Sequence, residues 1–305
     1  MERILNFTIT PADTGMRIEQ FLRQNEFSRH IITHLKQTPN GICLNGVWSY
    51  INQRLSLNDI LTIRLIETIS SPQIVPVPMN LNIVYEDEDI MVINKPSDMP
   101  IHPSINNYDN TLANGVASYF ARQNIPFVYR CINRLDRDTT GLLIIAKHML
   151  SAARLSKMIA SKAAEASTSV IHREYLAIAV GAVPTQGTIH AAIARKDTSL
   201  IERCIDDIHG ERAITHFHTL TYKEPYSLVS LKLETGRTHQ IRVHMKHLGF
   251  PLLGDSLYNP NDMSNKKMQR QALHSYRLHF YHPLTGKEMS FTSPLPDDMN
   301  WINLL

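Results

Sequence analysis

Cysteine is scarce: Cys43, Cys131 and Cys204 are the only three in 305 residues. The number is odd and no two stand as Cys-x-x-Cys, which argues against a disulfide framework and against a cysteine zinc site. No apolar run approaches the roughly 18 residues a membrane-spanning helix needs. The opening MERILNFTIT has no apolar signal-peptide core, so a reducing cytoplasm is the expected location. Neither Gly-x-Gly-x-x-Gly nor Gly-x-Ser-x-Gly occurs, which removes the usual dinucleotide fingerprint and the hydrolase nucleophile elbow. His-x-Glu with Pro-Cys-x-x-Cys is also missing, which argues against a zinc deaminase.

What is present is an ordinary globular composition, 43% hydrophobic and 19% charged. Lys and Arg number 31 against 28 acids, a balance of +3 that does not itself demand a nucleic-acid partner. The distribution is less even. Residues 221–280 hold nine Lys/Arg (Lys266 and Lys267 among them) and four acids, an excess that reads as a solvated surface or as a phosphate-facing patch.

Residues 1–70 read as a small separate unit. Ile18, Phe21 and Leu22 fall at helical spacing, and Ser28 caps a second apolar-periodic stretch through Ile31, Ile32 and Leu35. Pro39-Asn40-Gly41 ends it. A strand over 42–44, an Asn45-Gly46 turn and a strand over 60–65 follow. Pro72, Pro76 and Pro78 mark 71–80 as a semi-extended linker. Residues 81–305 then read as one α+β domain. Strands are expected at 90–94, 142–146, 174–180 and 228–234, with helices at 111–122, 149–163 and 238–248, the last stopped by Gly249.

The segment most charged with chemistry is CINRLDRDTTGLLIIAKH, 131–148. A polar cluster runs straight into an apolar strand, and a loop at the mouth of a rigid strand holds functional groups well. Asp136 lies between Arg134 and Arg137, and nearby positive charge favours the carboxylate. That suits a nucleophile or a base rather than an acid. Asp138 is the alternative. His239, His244 and His247 invite a metal reading, but on a helix His239 falls well off the face of the other two and no nearby acid or cysteine completes a site, so ordinary helix polarity is the reading adopted.

Asn133-Arg134-Leu135-Asp136 followed by Thr139-Thr140-Gly141 resembles the His-Arg-Leu-Asp-x-x-Thr-Ser-Gly motif of RluA-type pseudouridine synthases, with Asn133 for His and Thr140 for Ser. Further segments agree in the family's order. They are 84–103 with its Asn-Lys-Pro and His-Pro, Arg173-Glu174-Tyr175-Leu176 for Lys-x-Tyr-Leu, 235–258 with Gly-Arg-Thr-His-Gln-Ile-Arg and Gly-Asp-x-x-Tyr, and Gln271-Ala272-Leu273-His274 with His282-Pro283. The resemblance spans about 84–291. Residues 1–70 resemble an S4 RNA-binding module through Ser28-Arg29 and Leu44-Asn45-Gly46. With seven Lys/Arg and six acids they could equally be a structural appendage.

The resemblance implies an RNA isomerase with no cofactor and no metal. Asp136 is the matching catalytic aspartate, acting at C1′ as nucleophile or at C2′ as base on a uridine flipped from its stack. Tyr175 and Arg242 match the active-site tyrosine and the arginine that pairs with the aspartate. Arg242 is expected on the polar face of its helix, opposite Ile241 and Met245. Arg134, Arg237, His239 and Lys246 are read as substrate-RNA contacts. Ribosomal RNA is the expected partner, transfer RNA the second choice, with the protein a monomer off the membrane. Specificity is expected from the N-terminal unit and from loops 104–112 and 259–270. The connection 159–172 looks longer than the family's and bears on Tyr175. A relative that grips RNA without catalysis is the competing reading.

Overall fold

The computed structural model describes residues 1–160, 171–199, 201–261, 268–300 and 302. Lys266, Lys267, most of the 159–172 connection and the middle of the 259–270 loop lie outside these.

Strands β1 (Glu2–Thr8), β2 (Ile42–Leu44), β3 (Val47–Trp48) and β4 (Ile60–Ile66) form a four-stranded sheet in the order β1-β4-β2-β3. Helices α1 (Ile18–Gln24) and α2 (Arg29–Gln37) bury Ile18, Phe21, Leu22, Ile31, Ile32 and Leu35 against Leu61, Ile63 and Leu65 of β4. The Ser28 hydroxyl accepts the Ile31 N–H at 3.3 Å, closing the start of α2. β1 was not expected, because Glu2, Asn6 and Thr8 point outward and interrupt its apolar residues.

No helix or strand occurs over 67–82. This segment is nevertheless tied down. Phe127 and Tyr129 N–H groups donate to the Ser70 and Ser71 hydroxyls, both at 3.0 Å, and Asn114 donates to the Val75 carbonyl at 2.8 Å.

The second sheet has nine strands. Its order is β5 (Ile83–Glu86), β6 (Ile90–Lys95), β7 (Thr140–Ala146), β14 (Leu273–Tyr281), β8 (His172–Val180), β13 (Tyr226–Leu233), β12 (Ile214–Lys223) and β9 (Gln186–His190), with β15 (Glu288–Thr292) on β14. β7 and β14 run parallel and the other pairs antiparallel. β10 (Ile193–Arg195) and β11 (Arg203–Ile205) form a separate ribbon. Strand periodicity divides the core. Met91, Ile93, Leu143, Ile145, Tyr175, Ala177, Val229 and Leu231 pack on one face with α3 (Leu112–Ala121) and α5 (Gln240–His247). Ile90, Val92, Leu142, Ile144 and Phe280 pack on the other with α4 (Met149–Ala160). The short α6 (Asp297–Asn300) covers Leu176 and Ile178 through Met299. The four expected strands and three expected helices are all found. Among the described residues no helix is long and apolar enough to cross a membrane.

The two sheets are joined by side chains. Leu150 of α4 is buried in the N-terminal core. Arg3 binds Asp89 through two nitrogens at 2.7 and 3.2 Å, and Arg130 pairs with Glu67. Asp89 also accepts from His148 at 2.9 Å. Asp87, Asp89 and His282 present metal-ligand atoms within 4.8 Å of one another. Arg3 and His148 already take both Asp89 oxygens, so the cluster is a junction between units.

At the β7–β14 seam, Gly141 has φ +108 and a Cβ there would overlap the Ser275 carbonyl. Beside it Thr140 Oγ1 meets His274 Nδ1 at 2.8 Å. Burial pushes the His274 imidazole down to about 4, against the Ser293 carbonyl bond that favours the cation. Between pH 6.5 and 4 the unfolded chain therefore binds the proton that the folded chain refuses. Stability should fall by about 3 kcal/mol across that window, measured by urea unfolding, and His274→Asn should remove that part of the loss.

Candidate active site

The sequence places Asp136 one turn before β7, and the fold fixes the loop there by its carbonyls. Lys95 at the end of β6 donates to Pro96 O and Arg137 O, both at 2.7 Å. Arg270 donates to Asp138 O at 3.0 Å while Asp298 holds its other nitrogens. Burial drives the Lys95 ammonium down to about 7, with Asp138 and Asp136 opposing. Thr139 N–H closes the turn on Asp136 O at 3.1 Å. Backbone gripped this way gives the Asp136 side chain one position.

The cation facing Asp136 is not its sequence neighbour. Arg137 turns away to Asp98, its Nε 2.7 Å from Oδ1. Arg242 of α5 supplies the charge, with Nη1 3.0 Å from Asp136 Oδ2. The expectation of a polar-face arginine needs correction, since Arg242 is 7% exposed. It can be buried because Asp255, fully enclosed, takes Nε at 2.7 Å and Nη2 at 2.9 Å in a fork. Burial alone would lower the Arg242 pKa; the bonds and charge of Asp255, then of Asp136, outweigh it and raise it. Asp255 also accepts the Leu257 and Tyr258 N–H groups at 3.1 Å each, so the Gly254-Asp255 turn holds the fork.

His239 is not in the helix. It caps α5 with φ 58, a left-handed conformation, and α5 starts at Gln240 rather than 238. Its Nε2 lies 3.8 Å from Asp136 Oδ2 and its Nδ1 2.8 Å from the Tyr258 hydroxyl. Arg203 N–H donates to that phenol oxygen at 2.9 Å, so the Tyr258 hydroxyl links His239 to β11. Burial keeps His239 below its ordinary value, against the pull of Asp136. His244 is buried against Thr215 Oγ1 and the Ala191 carbonyl, so it holds the helix on the sheet.

A cavity of about 1080 Å3 opens over these groups. Asp136, Tyr175, Arg242, Arg134, Arg237 and His239 all line it; Lys246 and Asp138 do not. Lys246 lies one turn along α5, its Nζ 5.6 Å from the Tyr258 ring centroid. Arg237 pairs with Glu211 at the rim. Tyr175 rises from β8, and burial raises its pKa, with Arg173 opposing, so the phenol keeps its proton.

The family model described as RNA pseudouridylate synthase matches residues 89–247, just over half the chain. The chain belongs to the RNA pseudouridylate synthase family. The uncharacterized RNA pseudouridine synthase YjbO of Bacillus subtilis is 35% identical over 286 residues, covering 93% of this chain and 97% of that one. The ribosomal large subunit pseudouridine synthase D of Escherichia coli K12 is 39% identical over 241 residues, covering 75% and 70%. The human RNA pseudouridylate synthase domain containing 1 superposes with a TM-score of 0.56 at 28% identity, covering 70% of this chain and 83% of that one. The RluA-type resemblance, the α+β fold and an isomerase acting on RNA all stand on these matches.

For a member of this family, Asn133 departs from the motif without opening the site. Buried beneath the loop, it accepts the Ile144 N–H at 2.8 Å and donates to Leu142 O at 3.3 Å, stitching the loop to β7. Sequence reasoning assigned no role to Asp255, Tyr258, Lys95 or Arg270. The Gly-Asp-x-x-Tyr and Asn-Lys-Pro segments were the available signals for the first three.

Removing Arg242 leaves Asp255 buried with no counter-charge. Arg242→Met should therefore cost about 3–5 kcal/mol in urea unfolding. Asp255→Asn in the same chain, which keeps an acceptor for the turn N–H groups, should restore at least half of that; an additive double mutant would contradict the pairing.

Proposed function

We propose that this RNA pseudouridine synthase modifies uridines of ribosomal RNA, with Asp136 acting on the ribose of a flipped-out nucleotide. The observation that carries this reading is the Asp136–Arg242 pair at 3.0 Å, at the floor of a cavity large enough for a nucleotide. Arg242 occupies Oδ2, and Oδ1 has no hydrogen bond among the described residues, so Oδ1 is the atom offered to C1′ or to the C2′ hydrogen. The N1–C1′ bond breaks, the uracil turns, C5 joins C1′, the proton on C5 departs, and N1 takes up a proton in its place. No atom is gained or lost, so the chemistry calls for neither metal nor redox cofactor. Tyr175 supplies a ring face for the uracil and a protonated hydroxyl beside it. Arg134, exposed at the mouth, fills the place the base vacates. The relative named for the ribosomal large subunit favours ribosomal over transfer RNA.

We read the protein as a cytoplasmic monomer, and the N-terminal unit as a second, S4-like RNA contact. Arg29, His30 and Lys36 face solvent on α2, with no ion pair among the described residues.

Pseudouridines mapped by carbodiimide labelling in cells with the protein, without it, and with Asp136→Asn should differ at one or a few ribosomal positions. The null and the Asn variant should both lose them. An Asn variant that restores the map would remove Asp136 from the chemistry.

A further inference from the structure

The cavity contains a second buried guanidinium that the reaction above does not use. Arg173 leaves β8 two residues before Tyr175, so both side chains rise from one face of the strand, and both line the cavity. Arg173 is 8% exposed, and its Nε has no hydrogen-bond partner. No carboxylate among the described residues pairs with it. The other buried arginines of the site differ: Arg242 has Asp136 and Asp255, and Arg270 has Asp298. Glu174, the acid nearest in sequence, leaves the other face of β8 and is used by Ser230 and Arg277. Space for the guanidinium is made by Gly236, where a Cβ would stand 2.9 Å from Arg173 Nη1.

A lone buried guanidinium is costly, and unlike lysine it cannot escape by losing its proton. The missing counter-charge is then expected from what enters the cavity. In RNA the only anion is the phosphodiester; uracil oxygens accept hydrogen bonds but cancel no charge. Two strand residues span about 7 Å, a step of the same order as that from a ribose to its flanking phosphate.

We propose that Arg173 receives the phosphodiester flanking the flipped uridine, and so fixes the ribose over Asp136. The inference rests on the RNA pseudouridine synthase reading above. It makes Arg173 a substrate-binding residue inside the cavity, distinct from the groups that act on the sugar.

The test compares wild type, Arg173→Gln, Arg173→Lys and Asp136→Asn on 23S ribosomal RNA transcribed with 5-tritiated uridine. Filter binding over a salt series and tritium release are both measured. For Arg173→Gln the slope of log affinity against log salt should shrink by about 0.7, one single-strand phosphate contact. Its kcat/KM should fall roughly 10- to 100-fold, and Arg173→Lys should recover the slope. Without RNA, Arg173→Gln should melt at or above the wild-type temperature, because an uncompensated charge has gone. A lowered melting temperature with an unchanged salt slope would make Arg173 structural and overturn the proposal. No tritium release from wild type would instead count against the ribosomal substrate, while the salt slopes would still judge Arg173.

Discussion

One guanidinium shared by two carboxylates sets the geometry of this site. Arg242 has a rigid fan of donors. Asp255 takes one edge of it through Nε and Nη2, and Asp136 receives Nη1. The first contact is closed and buried, the second open to the cavity. Asp255 is itself fixed by two backbone N–H groups, so the direction of Nη1 is settled before any substrate arrives. Asp136 thus inherits its orientation from a turn distant in sequence. The same constraint explains the depth of α5. A charged side chain at that position would ordinarily face water, and only the paired acid beneath it permits burial.

How legible was this in the sequence? The strands over 90–95 and 140–146 were plain because both faces are apolar and lie between helices. β14 was not, although it sits mid-sheet. Its His274 and Ser275 look like surface residues, yet they are buried with partners in Thr140 and the Leu142 carbonyl. β12 was hidden by His216, His218 and the threonines along its outer run. Linear proximity alone points to Arg134 and Arg137 as the cations for Asp136, whereas the family resemblance points to Arg242. Arg137 was adjacent in sequence, but a β-turn sends neighbouring side chains apart, and the true partner comes from another element. The roles of Asp255 and Lys95 depend on tertiary approach, which spacing does not encode.

The boundary near residue 70 reads as a linker in the sequence, but the chain across it is not loose. Prolines remove N–H groups and deny it a sheet, while its serines and carbonyls bond to α3 and to 127–129. The N-terminal sheet then rests on Leu150, Arg3–Asp89 and Arg130–Glu67. Asp89 belongs to the turn that starts β6, the strand that ends at Lys95 under the Asp136 loop. A unit whose outer helix carries unpaired cations is therefore anchored to the same strand that supports the chemistry.

Burial favours the neutral form of three groups at the site: His239 is pushed below its ordinary value, and Tyr175 and Tyr258 above theirs, Tyr258 to about 12. Arginines cannot follow, because the guanidinium stays charged at any depth. Arg134, Arg173, Arg212, Lys232, Arg237 and Arg242 all bring positive charge to the cavity lining. Of these, Arg242 is fully matched by carboxylates and attracts no further anion. Among the described residues Arg134 and Arg173 have no carboxylate partner, the one in the Asp136 loop and the other two residues before Tyr175. The arginine with two carboxylate partners, Arg242, is the one that holds the aspartate.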